Sequence, residues 1–189
     1  ITPGPNNLML MASGANFGFL RTTPHMFGVG IGFMLMVFLV GIGLAQLFDT
    51  YPIAHTILKV VSVGYLLYLA WKIANAAPIN ATDTHGTPMT FLQAAAFQWV
   101  NPKAWTMAVY AITNYATAPD NTRSVWAVGT VALVFGIVNF PSVSIWTVLG
   151  QQMRRFLTSP TRLRAFNWTM AGLLLLTLIP VVFPNLFAA

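Results

Sequence analysis

The chain has 189 residues, of which 57% are hydrophobic and only 6% charged, and its mean hydropathy is +0.70. A soluble domain carries roughly 25% charged residues, so this composition excludes a water-clothed globule and points to an integral membrane protein. The net charge of +6 is spread too thinly over apolar sequence to suggest a nucleic-acid partner, and the absence of cysteine excludes disulfides, thiolate metal sites and a cysteine nucleophile.

The chain begins at Ile1 rather than methionine. Residues 1–19 read as the second half of a span whose first half precedes them, and no signal peptide is visible. Thr2-Pro3-Gly4-Pro5-Asn6-Asn7 opens this stretch. Two prolines flanking a glycine break a helix, since each removes a backbone donor and restricts its neighbour. Apolar Leu8 to Ala12 follows, so the break lies between apolar segments. Asn6 and Asn7 fall where a new helix starts, beside free N–H groups and the positive end of its dipole. At membrane depth such broken backbone is tolerated only inside protein or along a cavity, and paired broken helices mark a transporter's binding site.

A membrane span needs about 20 apolar residues, and five runs qualify: Met26 to Phe48, Ile53 to Ile73, Phe91 to Ala116, Val125 to Leu149, and Phe166 to Leu186. The third is interrupted at Asn101-Pro102-Lys103, the fourth contains a polar break at Asn139 and Pro141, and the fifth carries Pro180 and Pro184. With the truncated first span, the intact protein is expected to have six. The fold class is therefore an all-α integral membrane protein built as two inverted three-helix repeats, residues 1–74 and 91–189, joined by a polar cytoplasmic loop at 75–90. Each repeat opens with a broken helix followed by two spans, and three spans per copy is an odd number, so the copies face opposite ways. The closing spans share a small pattern, Val63-Gly64-Tyr65-Leu66-Leu67 against Ala171-Gly172-Leu173-Leu174-Leu175.

Positive charge near span ends stays cytoplasmic. The link from Gly150 to Ala165 carries Arg154, Arg155, Arg162 and Arg164, which places it inside. Counting back puts Arg21 and Lys72 inside, and Lys59, Arg123, Asp49 and Asp120 outside, a division of six cations against two.

Lys103 is the sharpest residue. A cation at the centre of a span costs ~2.5–3.5 kcal/mol on insertion scales, so it faces a cavity, where it attracts a carboxylate or exchanges a proton, unless it snorkels to an interface. Asn6, Asn7 and Asn101 cap helix ends or donate to a zwitterion near the helix N-termini. Gln98 lies one turn before the second break and faces the same side. Asn139 marks a kink or a further lining position. His25, His55 and His85 are scattered and do not resemble a metal site. Gly14 and Gly18, like Gly28 and Gly32, have the spacing of closely packed helices, within one chain or across a homodimer. Tyr65, Tyr68, Trp71, Trp105 and Trp126 read as interfacial anchors or packing residues. The sequon Asn80-Ala81-Thr82 is too short a motif to carry weight. Only three acids exist, Asp49, Asp83 and Asp120, and no catalytic constellation, phosphate loop or cofactor motif is present.

These residues together resemble a known family. Thr2 to Asn7 followed by Gly14 to Phe19 is similar to the start of the LysE/RhtB amino-acid exporters. Gly64 to Lys72 resembles that family's third span, and Pro88 to Phe91 leading to Asn101-Pro102-Lys103-Ala104 its fourth. The resemblance covers essentially the whole chain and is closest to the branch exporting small neutral amino acids and derivatives, such as cysteine, O-acetylserine, homoserine or threonine. It implies a multi-pass inner-membrane exporter, no enzyme and no cofactor, with a proton as coupling ion and lipid as surroundings. Pro3, Gly4, Pro5 and Asn6 match its first motif, and Asn101, Pro102 and Lys103 its second. Some members carry an acid in the fifth span, where this chain has Val138-Asn139-Phe140-Pro141. The proton carrier is then open: Lys103, uniport or substrate-borne protons all fit. A passive channel, a metal-ion exporter and a non-transporting scaffold are the rival readings.

Overall fold

The computed structural model describes residues 2–76, 87–118 and 122–183. Asn80, Asp83, His85, Asp120 and Pro184, all weighed above, and most of the 75–90 loop lie outside the described residues.

Every regular element among the described residues is a helix, apart from one isolated bridge between Thr117 and Arg123. Helix α1 spans Pro5–Phe17 and α2 Phe19–Leu39, the latter running into a π-helical turn at Val40–Leu44. Then come α3 (Gln46–Thr50), α4 (Pro52–Ala74), α5 (Phe91–Val100), α6 (Pro102–Tyr115), α7 (Val125–Met153), α8 (Pro160–Leu176) and α9 (Ile179–Val182). Four helical stretches are long and apolar enough to cross a membrane: Phe19–Leu44, Pro52–Ala74, Val125–Met153 and Pro160–Val182. The protein is a multi-pass membrane protein.

Two span starts and one interior break differ from the sequence reading. The span expected from Met26 starts at Phe19, because Pro24 is carried inside α2 and a single residue, Gly18, makes the turn from α1. Its φ of 80° is left-handed backbone that favours glycine. The last span starts at Pro160 rather than Phe166, with Ser159 accepting from the Arg162 amide as its cap. The polar break expected at Asn139 and Pro141 is not there: α7 runs 29 residues through both. Proline costs one backbone bond there, and membrane helices hold such prolines where neighbouring helices and hydroxyl side chains re-satisfy the freed backbone groups.

Glycines set the crossings. A side chain at Gly14 would run into the Thr147 backbone, and one at Gly150 into that of Met11, so α1 and α7 touch main chain to main chain. Gly28 and Gly32 do the same for α2 against Phe91 and Ala95 of α5. These positions are occupied by packing within one chain, which removes them as a homodimer contact. Gly64 and Gly172, the shared pattern of the closing spans, instead face open space.

Leu10, Met26, Leu66, Phe97 and Leu174 are fully buried in one core, and Met36, Ala108, Ile112 and Val128 in a second around α2, α6 and α7. The outer surface carries many large apolar side chains, Leu20, Trp126, Val60 and Ile137 among them, as lipid contact requires. One end of the bundle gathers the α1–α2 turn, the C-termini of α4 and α7 and the start of α8: Gln151 accepts from the Phe19 amide, and Asn167 bonds both Asn16 and the Ala76 carbonyl. Arg21, Lys72, Arg154, Arg155, Arg162 and Arg164 all stand exposed in the segments that form this end.

Candidate functional site between the two helix breaks

Both predicted breaks form, and both place proline at the first position of a new helix, where its missing N–H costs nothing. Pro5 starts α1 after extended Gly4, and Pro102 starts α6 after extended Asn101. The two differ in how they are capped. The Asn101 side chain accepts from the Lys103 amide at 3.1 Å and so occupies the end of α6. No side chain caps α1, which leaves its first-turn amides open to an anion.

The second residue of each helix reaches to the chain that precedes the other break. Asn6 donates to Gln98 Oε1 at 2.8 Å, and Gln98 Nε2 donates back to Asn6 Oδ1 at 3.1 Å. Gln98 is fully buried and also donates to the Ala94 carbonyl at 2.9 Å, so the pair is locked to α5. On the other side, Lys103 Nζ donates to Thr2 Oγ1 and to the Pro3 carbonyl, each at 2.9 Å. Asn7 donates to the Thr2 carbonyl at 2.8 Å and closes the loop before α1.

Gly4 permits this arrangement by its size, not its backbone angles. Its φ of −173° suits any residue. A Cβ there, however, would lie 2.9 Å from both Cδ and Nζ of Lys103. Glycine is therefore what lets the ammonium lie against the break.

A cavity of about 90 Å³ opens between α1, α6 and α7. Gly4, Pro5, Asn6, Asn7, Asn101, Lys103 and Asn139, all candidates from the sequence, line it. Pro3 contributes through its carbonyl, Gln98 stands behind Asn6, and Pro102 serves to start α6. Thr2, from the opening motif, also lines it, as do Phe33, Met107 and Ser142, which went unremarked in the sequence. Ser142 could have been found from Asn139, one helical turn earlier on the same face; Phe33 comes from α2 and has no local signal. Lys103 is half-buried. Among the described residues its neighbours offer hydrogen-bond acceptors, Thr2 Oγ1 and the Pro3 carbonyl, and no carboxylate. Chemically, the cavity presents a fixed cation and open helix amides on one wall, amide side chains on another, and an apolar wall from Phe33 and Met107.

The family model described as "LysE type translocator" matches residues 1–181. Proteins named cysteine/O-acetylserine efflux protein, from Escherichia coli strain K12 and from Shigella flexneri, are 30% identical over 155 residues, covering 82% of this chain and 78% of theirs. No solved structure matches.

Proposed function

This chain belongs to the LysE-type translocators, a family of transporters and not of enzymes, and from that premise we propose that it exports small neutral amino acids or their derivatives. The class represented by cysteine and O-acetylserine is the first to test, because the similar curated proteins bear those names. The observation that carries the reading is the meeting of two helix starts around Lys103. The substrate carboxylate takes the open amides of α1 and the Lys103 ammonium, where an anion is favoured twice over. Its ammonium group, a donor, turns to the side-chain carbonyl oxygens of Asn6 and Asn139.

Transport proceeds by alternating access. Residues 1–74 and 91–189 are two inverted repeats that rock about the paired breaks, and the Asn6–Gln98 and Lys103–Pro3 bonds are the contacts exchanged. A cavity of about 90 Å³ has room for a few waters, so the rocking also widens it to admit substrate. The end of the bundle bearing six cations is cytoplasmic, in a bacterial inner membrane, and a proton moves in exchange.

Flux from proteoliposomes loaded with radiolabelled O-acetylserine tests this. Export faster than from protein-free vesicles, quickened by a proton gradient directed against it, is the expected result. Flux no faster than protein-free vesicles for every neutral amino acid tried would overturn it.

A further inference from the structure

The six residues that join α7 to α8, with the first five of α8, carry Arg154, Arg155, Arg162 and Arg164. All four are exposed, and none of their side chains has a hydrogen-bond or ion-pair partner among the described residues. Residues 77–86 hold one acid, Asp83, too few to neutralise four arginines. The patch continues into lipid-facing surface. On α8, Arg164, Trp168, Gly172 and Leu176 follow at intervals of four, share one side of the helix and are all exposed. Trp168 is 56% exposed, and Phe156, within the link, 67%. A Cβ at Gly172 would meet nothing within 4 Å, so a gap one side chain deep lies between the Trp168 indole and Leu176.

We propose that the α7–α8 link and this side of α8 bind an anionic phospholipid, its phosphate among the four arginines and one acyl chain along Trp168, Gly172 and Leu176. Guanidinium groups present a fork of donors that matches phosphate geometry, and each basic residue near an anionic lipid surface strengthens binding about fivefold. From Arg164 to Leu176 the helix rises about 18 Å, close to half of a ~30 Å hydrocarbon core and so to the depth of one leaflet. Tryptophan sits at headgroup level, and Trp168 lies one turn inward of Arg164. A soluble acidic partner would use the arginines and leave the apolar side of α8 uncovered, whereas a molecule with a charged head and an apolar tail covers both. This surface stands apart from the cavity at Lys103 and does not rest on the export reading.

Full-length protein in detergent, mixed with phosphatidylglycerol or phosphatidylcholine and examined by native mass spectrometry, tests this. Phosphatidylglycerol should be retained at least tenfold more than phosphatidylcholine. Changing the four arginines to glutamine should remove the preference, and changing them to lysine should keep part of it. Lipid-free thermal unfolding should be the same in all three proteins, because these side chains hold no contact in the fold; the pair Arg162→Gln and Arg164→Gln, expected to lose about half of the effect, serves if the fourfold variant does not fold. Trp168→Ala should weaken retention about threefold. Equal retention of both lipids, or a preference indifferent to the glutamine changes, overturns the proposal. Displacement of the lipid by millimolar inorganic phosphate, or retention indifferent to Trp168→Ala, overturns the acyl seat on α8. A dimer that covers Trp168 and retains no lipid would assign the surface to a second copy of the chain and overturn it as well.

Discussion

Asn6 and Gln98 bond each other twice, at 2.8 and 3.1 Å, across 92 positions of sequence. A reciprocal amide pair satisfies a donor and an acceptor on both sides, and losing Asn6 leaves that side of the fully buried Gln98 unpaired, while losing Gln98 leaves the half-buried Asn6 without its partner. Gln98→Ala should lower stability by about 1–3 kcal/mol, measured by thermal unfolding in detergent. Asn6→Ala combined with Gln98→Ala should cost less than the sum of the two. Strict additivity in that double-mutant cycle would mean the pair is not a unit.

Gly4→Ala separates the position of Lys103 from its presence. The new Cβ meets the flexible end of the lysine side chain and not backbone, so the fold should survive. The ammonium must move, and transport should fall at least tenfold in vesicle flux. On a Lys103→Ala background, where the atoms the new Cβ would meet are gone, Gly4→Ala should leave thermal unfolding unchanged. A loss of stability there would place the role of Gly4 elsewhere.

The glycines of the helix crossings should divide into two groups. Gly14→Ala and Gly150→Ala each press a methyl into a facing backbone, and overpacking of that kind costs about 1–3 kcal/mol or more. Gly64→Ala and Gly172→Ala add a methyl to open space and should be neutral or slightly stabilising, since alanine is the better helix former. Thermal unfolding of the four purified variants decides this, and equal losses in both groups would contradict the packing described.

What was legible in the sequence followed from strong local rules. The breaks before Pro5 and Pro102 were readable because proline at the first helical position, after an extended residue, is both common and structurally consistent. The same residue misled at Pro141, which α7 carries without a break. A proline inside a helix costs one hydrogen bond, and whether the surroundings absorb that cost is a tertiary matter with no local signal. Gly18 as a complete one-residue turn was also invisible, since its spacing from Gly14 mimics a packing motif. Within the site, Lys103, Asn6 and Asn101 stood out as polar residues at depth. The contribution of Phe33 depends on which face of α2 meets α1 and α7. Apolar sequence on every side of a helix leaves that rotation undetermined.

The most direct test of an amino-acid exporter with its site at Lys103 is efflux from cells fed dipeptides, comparing full-length protein with its Lys103→Ala variant. Faster loss of one or a few neutral amino acids, abolished by Lys103→Ala while the variant stays in the membrane at equal abundance, is the predicted result. Unchanged export by Lys103→Ala would contradict the assignment of substrate binding to the paired helix breaks.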